Sequence, residues 1–145
     1  MCVFALRITE IETIPIALTS SKEGWGRSYF FWPARIEEVL IKIHTSNGLV
    51  GYGESHVEPW YYGNTLEHDV SLLRLYESKL KGEDPSNLVG AHQLMTKYVG
   101  RGGPTSESAR SAIDMALYDL CGKSCGVPVH KLLGGNLSRH IRTQG

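Results

Sequence analysis

No stretch of this 145-residue sequence approaches the roughly 18 consecutive apolar residues that a membrane-spanning helix requires. Net charge is missing too: 15 Lys and Arg balance 15 Asp and Glu, and the pI is near 7.0. Without a long-range field, neither nucleic acid nor an anionic membrane is an expected partner. Lys123, Lys131, Arg139 and Arg142 read as solvated surface. Cysteine is scarce and odd in number, at Cys2, Cys121 and Cys125, which argues against a disulfide framework and for a reducing, cytoplasmic setting. Cys121 and Cys125 stand i, i+4, the spacing of one helix face. No second ligand pair follows, so they read as small packing residues rather than half of a metal site. Residues 1–7 lack a basic segment followed by a long apolar one, so no secretory signal is expected. Internal repeats and low-complexity tracts are absent as well.

The length suits one domain, which at about 150 residues buries some 68–70% of its unfolded surface without a disulfide or metal. Hydrophobic residues make up 41% and charged residues 21%, near the globular average. Glycine is in excess, 16 of 145 residues or about 11% against a usual ~7%. It must serve turns or close backbone approaches.

Over residues 4–18 the even positions carry Phe4, Leu6, Ile8, Ile14, Ile16 and Leu18, interrupted by Glu10 and Glu12, which predicts a strand that is bulged or exposed in its middle. Residues 19–35 lose all periodicity while gathering Trp25, Tyr29, Phe30, Phe31 and Trp32, a long aromatic loop of the kind used as a lid or binding loop. Val39, Ile41, Ile43 and Thr45 then alternate with Leu40, Lys42 and His44, and Asn47-Gly48 leads into Leu49-Val-Gly-Tyr-Gly-Glu54, a hairpin signature. Gly51 and Gly53 remove Cβ atoms from one strand face and permit a close neighbour there. A second aromatic loop follows with His56, Trp60, Tyr61 and Tyr62.

Helical spacing begins at Asn64, which stands with Glu67 at capping-box distance, and continues through Leu66, Val70, Leu73, Tyr76 and Leu80. Asp84-Pro85 reads as the start of a second helix, buried through Leu88, Ala91, Met95 and Val99 up to Gly100. A third carries the stripe Ala109, Ala112, Ile113, Ala116, Leu117, Leu120 and Cys121, whose alanines admit a near neighbour; Asp119 and Lys123 sit at pairing distance, and Gly126 and Pro128 end it. Residues 129–135 form a short apolar piece. Strands followed by helices predict an α+β domain, a three-stranded antiparallel meander and then a bundle of three helices.

Residue chemistry alone gives no active site. Gly51-Tyr-Gly53 precedes Glu54 rather than a helix, so it is not a dinucleotide loop, and no phosphate-binding loop occurs. His44, His68 and His92 read as solvated or packed. His56, opening an aromatic loop directly after a strand, is the histidine placed to touch a ligand. The aromatic loops suit either ligand contact or burial beneath a partner domain.

The run Ala109-x-Ser111-Ala112-Ile113-Asp114-x-Ala116-Leu117-x-Asp119-Leu120-x-Gly122-Lys123, with Pro128-Val129 and Leu132-Leu133-Gly134-Gly135, resembles the signature helix of the mandelate racemase / muconate lactonising enzyme branch of the enolase superfamily. Thr45-x-Asn47-Gly48-Leu49-x-Gly51-Tyr52-Gly53-Glu54-Ser55 is similar to the same family's second and third strands. The resemblance implies an N-terminal capping domain over residues 1–135, with residues 136–145 opening the first strand of a (β/α) barrel. In that family the barrel chelates a carboxylate substrate to Mg²⁺ and uses a Lys or His base to remove the α-proton. The outcome is racemisation, cycloisomerisation or sugar-acid dehydration, an isomerase or lyase reaction.

The capping domain covers the barrel mouth with two loops, here residues 19–35 and 55–63. On this basis Trp25, Tyr29, His56, Trp60 and Tyr61 are the expected substrate-binding residues. A barrel needs roughly 250 residues, and ten follow Gly135, so no catalytic or metal residue carries over. Asp114 and Asp119, about 140° apart on a helix, read as structural. The chain alone is expected to be inactive, with a barrel domain, a small carboxylate or sugar acid and further copies of itself as partners of the parent enzyme. The competing expectation is a stand-alone structural or interaction module that associates through an exposed alanine stripe and the aromatic loops.

Overall fold

A computed structural model of the chain describes residues 6–19, 35–100 and 104–135. Strands β1 (Ile8–Thr19), β2 (Arg35–Thr45) and β3 (Val50–His56) form an antiparallel sheet in the order β1-β2-β3. Helices α1 (Leu66–Leu80), α2 (Leu88–Val99), α3 (Glu107–Cys125) and the single turn α4 (Val129–Leu132) follow, with a 3₁₀ turn at Pro104–Ser106. This is the α+β meander and helix bundle that the residue pattern predicts.

The central strand explains the layering. Val39, Ile41 and Ile43 lie on one face of β2 and are completely buried, against Leu73, Tyr76 and Leu80 of α1 and Ala112, Ala116, Leu117 and Leu120 of α3. Each such aliphatic side chain removed from water contributes roughly 1.5–3 kcal/mol. On the opposite face Lys42 donates to Glu12 across the strands at 3.1 Å, and His44 Nε2 lies 3.3 Å from the same carboxylate. The lysine and the imidazole hold the Glu12 carboxyl below the usual carboxylate range.

β1 does not keep one face throughout. A register shift between Ile8 and Glu10 puts Ile8 and Ile11 on the buried side and turns Ile14, Ile16 and Leu18 to the other. The irregularity has a cause in the chain beside it, since Ile8 N–H donates to Glu83 and its carbonyl accepts from Gly82 in the α1–α2 connection. β2 begins at Arg35, four residues before the alternation of apolar residues becomes visible. In the hairpin, Gly48 takes φ 85° and donates to the Thr45 carbonyl at 3.0 Å, while Asn47 Oδ1 accepts from Leu49 N–H and Thr45 Oγ1.

Two helix starts differ from the sequence pattern. Thr65, not Asn64, caps α1, accepting from His68 N–H. α2 starts at Leu88 behind Asn87, whose side chain accepts from Gly90 N–H, because Asp84 is engaged in a turn with Ser86.

The alanine stripe is not an open surface. Ala109, Ala112 and Ala116 are fully buried, and α3 lies directly on β3. A Cβ on Gly51 would stand 2.2 Å from the Ala116 carbonyl oxygen. Backbone packs on backbone here, so the stripe is unavailable for association with another chain. Asp119 accepts from Tyr52 N–H at 3.0 Å, and Lys123 donates to Asp119 and to the Val50 carbonyl, each at 2.7 Å. Together they cover part of the free edge of β3. His92 Nε2 lies 2.6 Å from Asp114, joining α2 to α3. Both aspartates are thus tied into the fold. Cys121 is a free, half-buried thiol.

Candidate functional site

β3 ends at His56 and α1 begins at Leu66, and the segment between them is fixed from below by buried polar groups. Asn64 and Asp69 are both fully buried. Asp69 Oδ2 accepts from Ser55 Oγ at 2.7 Å and from Asn64 Nδ2 at 2.8 Å, and His68 Nδ1 lies 3.1 Å from Asp69 Oδ1. Asn64 also donates to the His56 carbonyl at 2.8 Å and accepts from Glu58 N–H at 3.1 Å, which uses both its amide hydrogens and its oxygen. Ser108 of α3 donates to the same His56 carbonyl at 2.6 Å. Buried amides and carboxylates are costly unless fully bonded, so this network specifies one path for the chain.

On that root residues 58–63 wind into a compact turn. Tyr62 N–H donates to Glu58 O at 2.9 Å and Gly63 N–H to Pro59 O at 3.1 Å, and Gly63 at φ 74° ends it. The turn presents three consecutive aromatic side chains outward: Trp60 is 48% exposed, Tyr61 65% and Tyr62 41%. Tyr61 and Tyr62 meet edge to face with centroids 4.7 Å apart.

Beside the turn lies an open cavity of about 500 Å³ lined by Glu54, His56, Tyr62, Glu107, Ser108, Ser111 and Met115. Two carboxylates, two hydroxyls and an imidazole face a thioether and a phenol ring, a mixed surface that can hydrogen-bond and pack at once. His56 Nδ1 is 2.5 Å from Glu38 Oε1, and its Nε2 is 3.6 Å from Glu58 Oε2. Burial pushes the Glu38 carboxyl up, against the opposing pull of His56. Glu58 in turn accepts from Trp60 Nε1 at 3.2 Å.

Of the residues expected to bind substrate, His56 lines the cavity. Trp60 and Tyr61 stand exposed on the adjoining turn without lining it. Trp25 and Tyr29 lie outside the described residues. Sequence reasoning missed Glu54, Tyr62, Glu107, Ser108, Ser111 and Met115. A signal for four of them exists: Glu107, Ser108, Ser111 and Met115 fall off the apolar stripe of α3, on a face that the alanines turn toward the end of β3. Among the described residues no three His, Cys, Asp or Glu side chains come together to hold a metal ion.

Comparison with known proteins agrees with this architecture. Residues 34–134 match the model of the mandelate racemase / muconate lactonizing enzyme N-terminal domain. A hydrophobic dipeptide epimerase from Enterococcus faecalis is 33% identical over 99 residues, 68% of this chain and 27% of the relative. A D-galactonate dehydratase from Pectobacterium atrosepticum is 41% identical over 105 residues, 72% of this chain and 26% of the relative. The crystal structure of dipeptide epimerase from Enterococcus faecalis, complexed with Mg and the dipeptide L-Leu-L-Tyr, superposes with a TM-score of 0.77 at 26% identity. That match covers 89% of this chain and 35% of the other. The chain spans about a quarter of the length of the curated relatives it matches. With its three-stranded meander, its glycine–alanine seam and 101 matched residues, 34 to 134, the chain belongs to the mandelate racemase / muconate lactonising enzyme family of the enolase superfamily, as that family's N-terminal domain.

Proposed function

We propose that this chain caps the active site of a cytoplasmic, Mg²⁺-dependent enzyme that removes a proton α to a carboxylate, and that by itself it is inactive. The reaction is a racemisation, a cycloisomerisation or a sugar-acid dehydration. The observation that carries the reading is the pairing of a locked root with an exposed aromatic tip. Asn64 and Asp69 fix the ends of the turn, yet Trp60, Tyr61 and Tyr62 remain open to a partner or ligand. A turn built to be buried within this domain would not leave three large rings in water. His56, Trp60 and Tyr61 are assigned to substrate contact, with Trp25 and Tyr29 assigned to the same role from sequence alone.

Mg²⁺ supplies neutralisation of the charge that develops on a deprotonated carboxylate substrate. Its ligands are assigned to a barrel domain, which is the proposed main partner. Mixing the purified chain with Mg²⁺ and a panel of sugar acids and dipeptides should give no turnover; clear turnover overturns the proposal. An open reading frame downstream of codon 145 carrying a Lys-x-Lys strand supports it, and a stop codon there favours a stand-alone module. That second reading draws on the outer sheet face, where Leu18 and Tyr52 are more than half exposed. Under either reading copies of the isolated chain should associate, and a monodisperse monomer by light scattering at high concentration counts against this.

A further inference from the structure

We propose that His56 is a protonation-controlled clamp on the aromatic turn: bridging Glu38 and Glu58, it ties Trp60 to the sheet while it shares an extra proton with Glu38, and releases it when that proton leaves.

The argument starts from the count of hydrogens. Nδ1 and Glu38 Oε1 are 2.5 Å apart, so a proton must lie between them. The other nitrogen, Nε2, faces Glu58 Oε2 at 3.6 Å. Two arrangements satisfy both sides. In one, a doubly protonated ring sits between two carboxylates; in the other, a protonated Glu38 donates to Nδ1 while Nε2–H points at Glu58. They contain the same number of protons, and in both Nε2 presents a hydrogen to Glu58. Removing one proton leaves Nδ1–H donating to an ionised Glu38, and the lone pair of Nε2 then faces the negative oxygen of Glu58. The contact changes from attraction to repulsion.

Glu58 is the residue through which this change leaves the sheet. Its Oε1 accepts from Trp60 Nε1 at 3.2 Å, and its backbone N–H is held by Asn64. The Glu58 backbone is thus fixed by Asn64, and its carboxylate is the group that joins the indole to the imidazole. The surroundings are acidic. From β3, Glu54 stands two residues before His56 on the same side; from α3, Glu107 lines the opposite cavity wall, 3.8 Å from its partner Arg110; from α1, Asp69 lies buried beneath Ser55. Among the described cavity-lining residues there is no Lys or Arg. Glu38 Oε2 is buried with no hydrogen-bond partner among the described residues, which disfavours the ionised form of that residue and supports proton sharing. The clamp concerns how the turn is held and does not depend on what the turn covers.

Its test is an NMR pH titration of the 145-residue chain. The Trp60 indole N–H is assigned by its loss in Trp60→Phe, and the His56 ring carbons are followed in the same samples. The indole resonance should move in step with His56. Its hydrogen exchange, corrected for intrinsic pH dependence, should slow roughly two- to tenfold on the acid side, the factor supplied by one net hydrogen bond. In Glu58→Gln the ring should still titrate while the indole stops following it, and in His56→Gln the indole should be flat. An indole that titrates unchanged in either variant, or that ignores His56 in the unaltered chain, overturns the clamp. Because Glu58 is a loop residue, its variant decides the matter even if His56→Gln fails to fold.

Discussion

Gly53 lies against the backbone of Ala112: a Cβ on the glycine would stand 2.0 Å from the Ala112 carbonyl oxygen. Neither partner in that contact can retreat, since one is strand backbone and the other a helix carbonyl. Gly53→Ala should therefore force the helix off the sheet and cost roughly 2–3 kcal/mol, the range of core overpacking. Gly48→Ala meets no atom of the described residues within 4 Å but must hold φ at 85°, a penalty of about 1–2 kcal/mol. Urea midpoints at unchanged slope measure both. If Gly53→Ala proves no more costly than Gly48→Ala, the seam is looser than described.

The Asp69 carboxylate is the hub on which the aromatic turn rests, accepting from Ser55 and Asn64 and contacting His68. Asp69→Ala leaves one hydrogen of the buried Asn64 amide without its acceptor and leaves the Ser55 hydroxyl only Ser108 Oγ, at 3.0 Å. A loss of about 3 kcal/mol is expected, because hydrogen bonds to a buried charge carry ~1.5–3 kcal/mol each and relaxation recovers part. Cleavage by chymotrypsin beside Tyr61 and Tyr62 should accelerate more than cleavage elsewhere. Uniform acceleration would mean that Asp69 supports the whole domain and not this turn in particular.

Much of the fold is legible in the residue pattern itself. The Gly-x-Gly of β3 and the alanines of α3 each announce a close approach, and the fold joins the two. The Asn-Gly hairpin, the Asp119–Lys123 pair and the Gly126 stop, at φ 67°, follow from short-range rules that tertiary packing does not override. Elsewhere packing decides. The bulge after Ile8 comes from hydrogen bonds to Gly82 and Glu83, more than seventy residues away in sequence, so no local pattern could place Ile14, Ile16 and Leu18 on the outer face. Asn64 reads as a cap because caps and buried network residues share the same chemistry; only the position of Asp69 assigns it to the second role. The cavity lining combines β3, the turn and one face of α3, and that juxtaposition is a property of the docked helix rather than of any one segment.

Cys121 gives a direct probe of α3 docking. Burial raises its thiol above the ordinary range, with Asp84 adding to the effect, and its Sγ lies 3.9 Å from the Pro85 carbonyl. The thiolate is the reactive form, so at neutral pH alkylation should be much slower than for an unfolded peptide thiol. Denaturant should restore the ordinary rate in parallel with loss of helical signal. Rapid reaction in the native chain would place Cys121 outside the packed interface between α3 and the α1–α2 connection.

Glu12 and Glu38 should drive stability in opposite directions with pH. Lys42, then His44, lower the Glu12 carboxyl from its ordinary value of 4.5, so the folded chain releases that proton more readily than the unfolded one. The Glu12 contribution is complete above 4.5 and disappears as pH falls through its lowered value. Burial raises Glu38, so between 4.5 and its raised value the folded chain binds more protons than the unfolded one, and stability declines as pH climbs through that window. Urea midpoints measured across pH should lose their acid-side fall in Glu12→Gln and their decline above 4.5 in Glu38→Gln. Salt separates the two further: the solvent-exposed Glu12 pair is screened at high ionic strength, whereas the desolvation of Glu38 is not. The same slope in both variants would mean that neither carboxylate titrates differently on folding, and would remove the electrostatic support for a shared proton at His56.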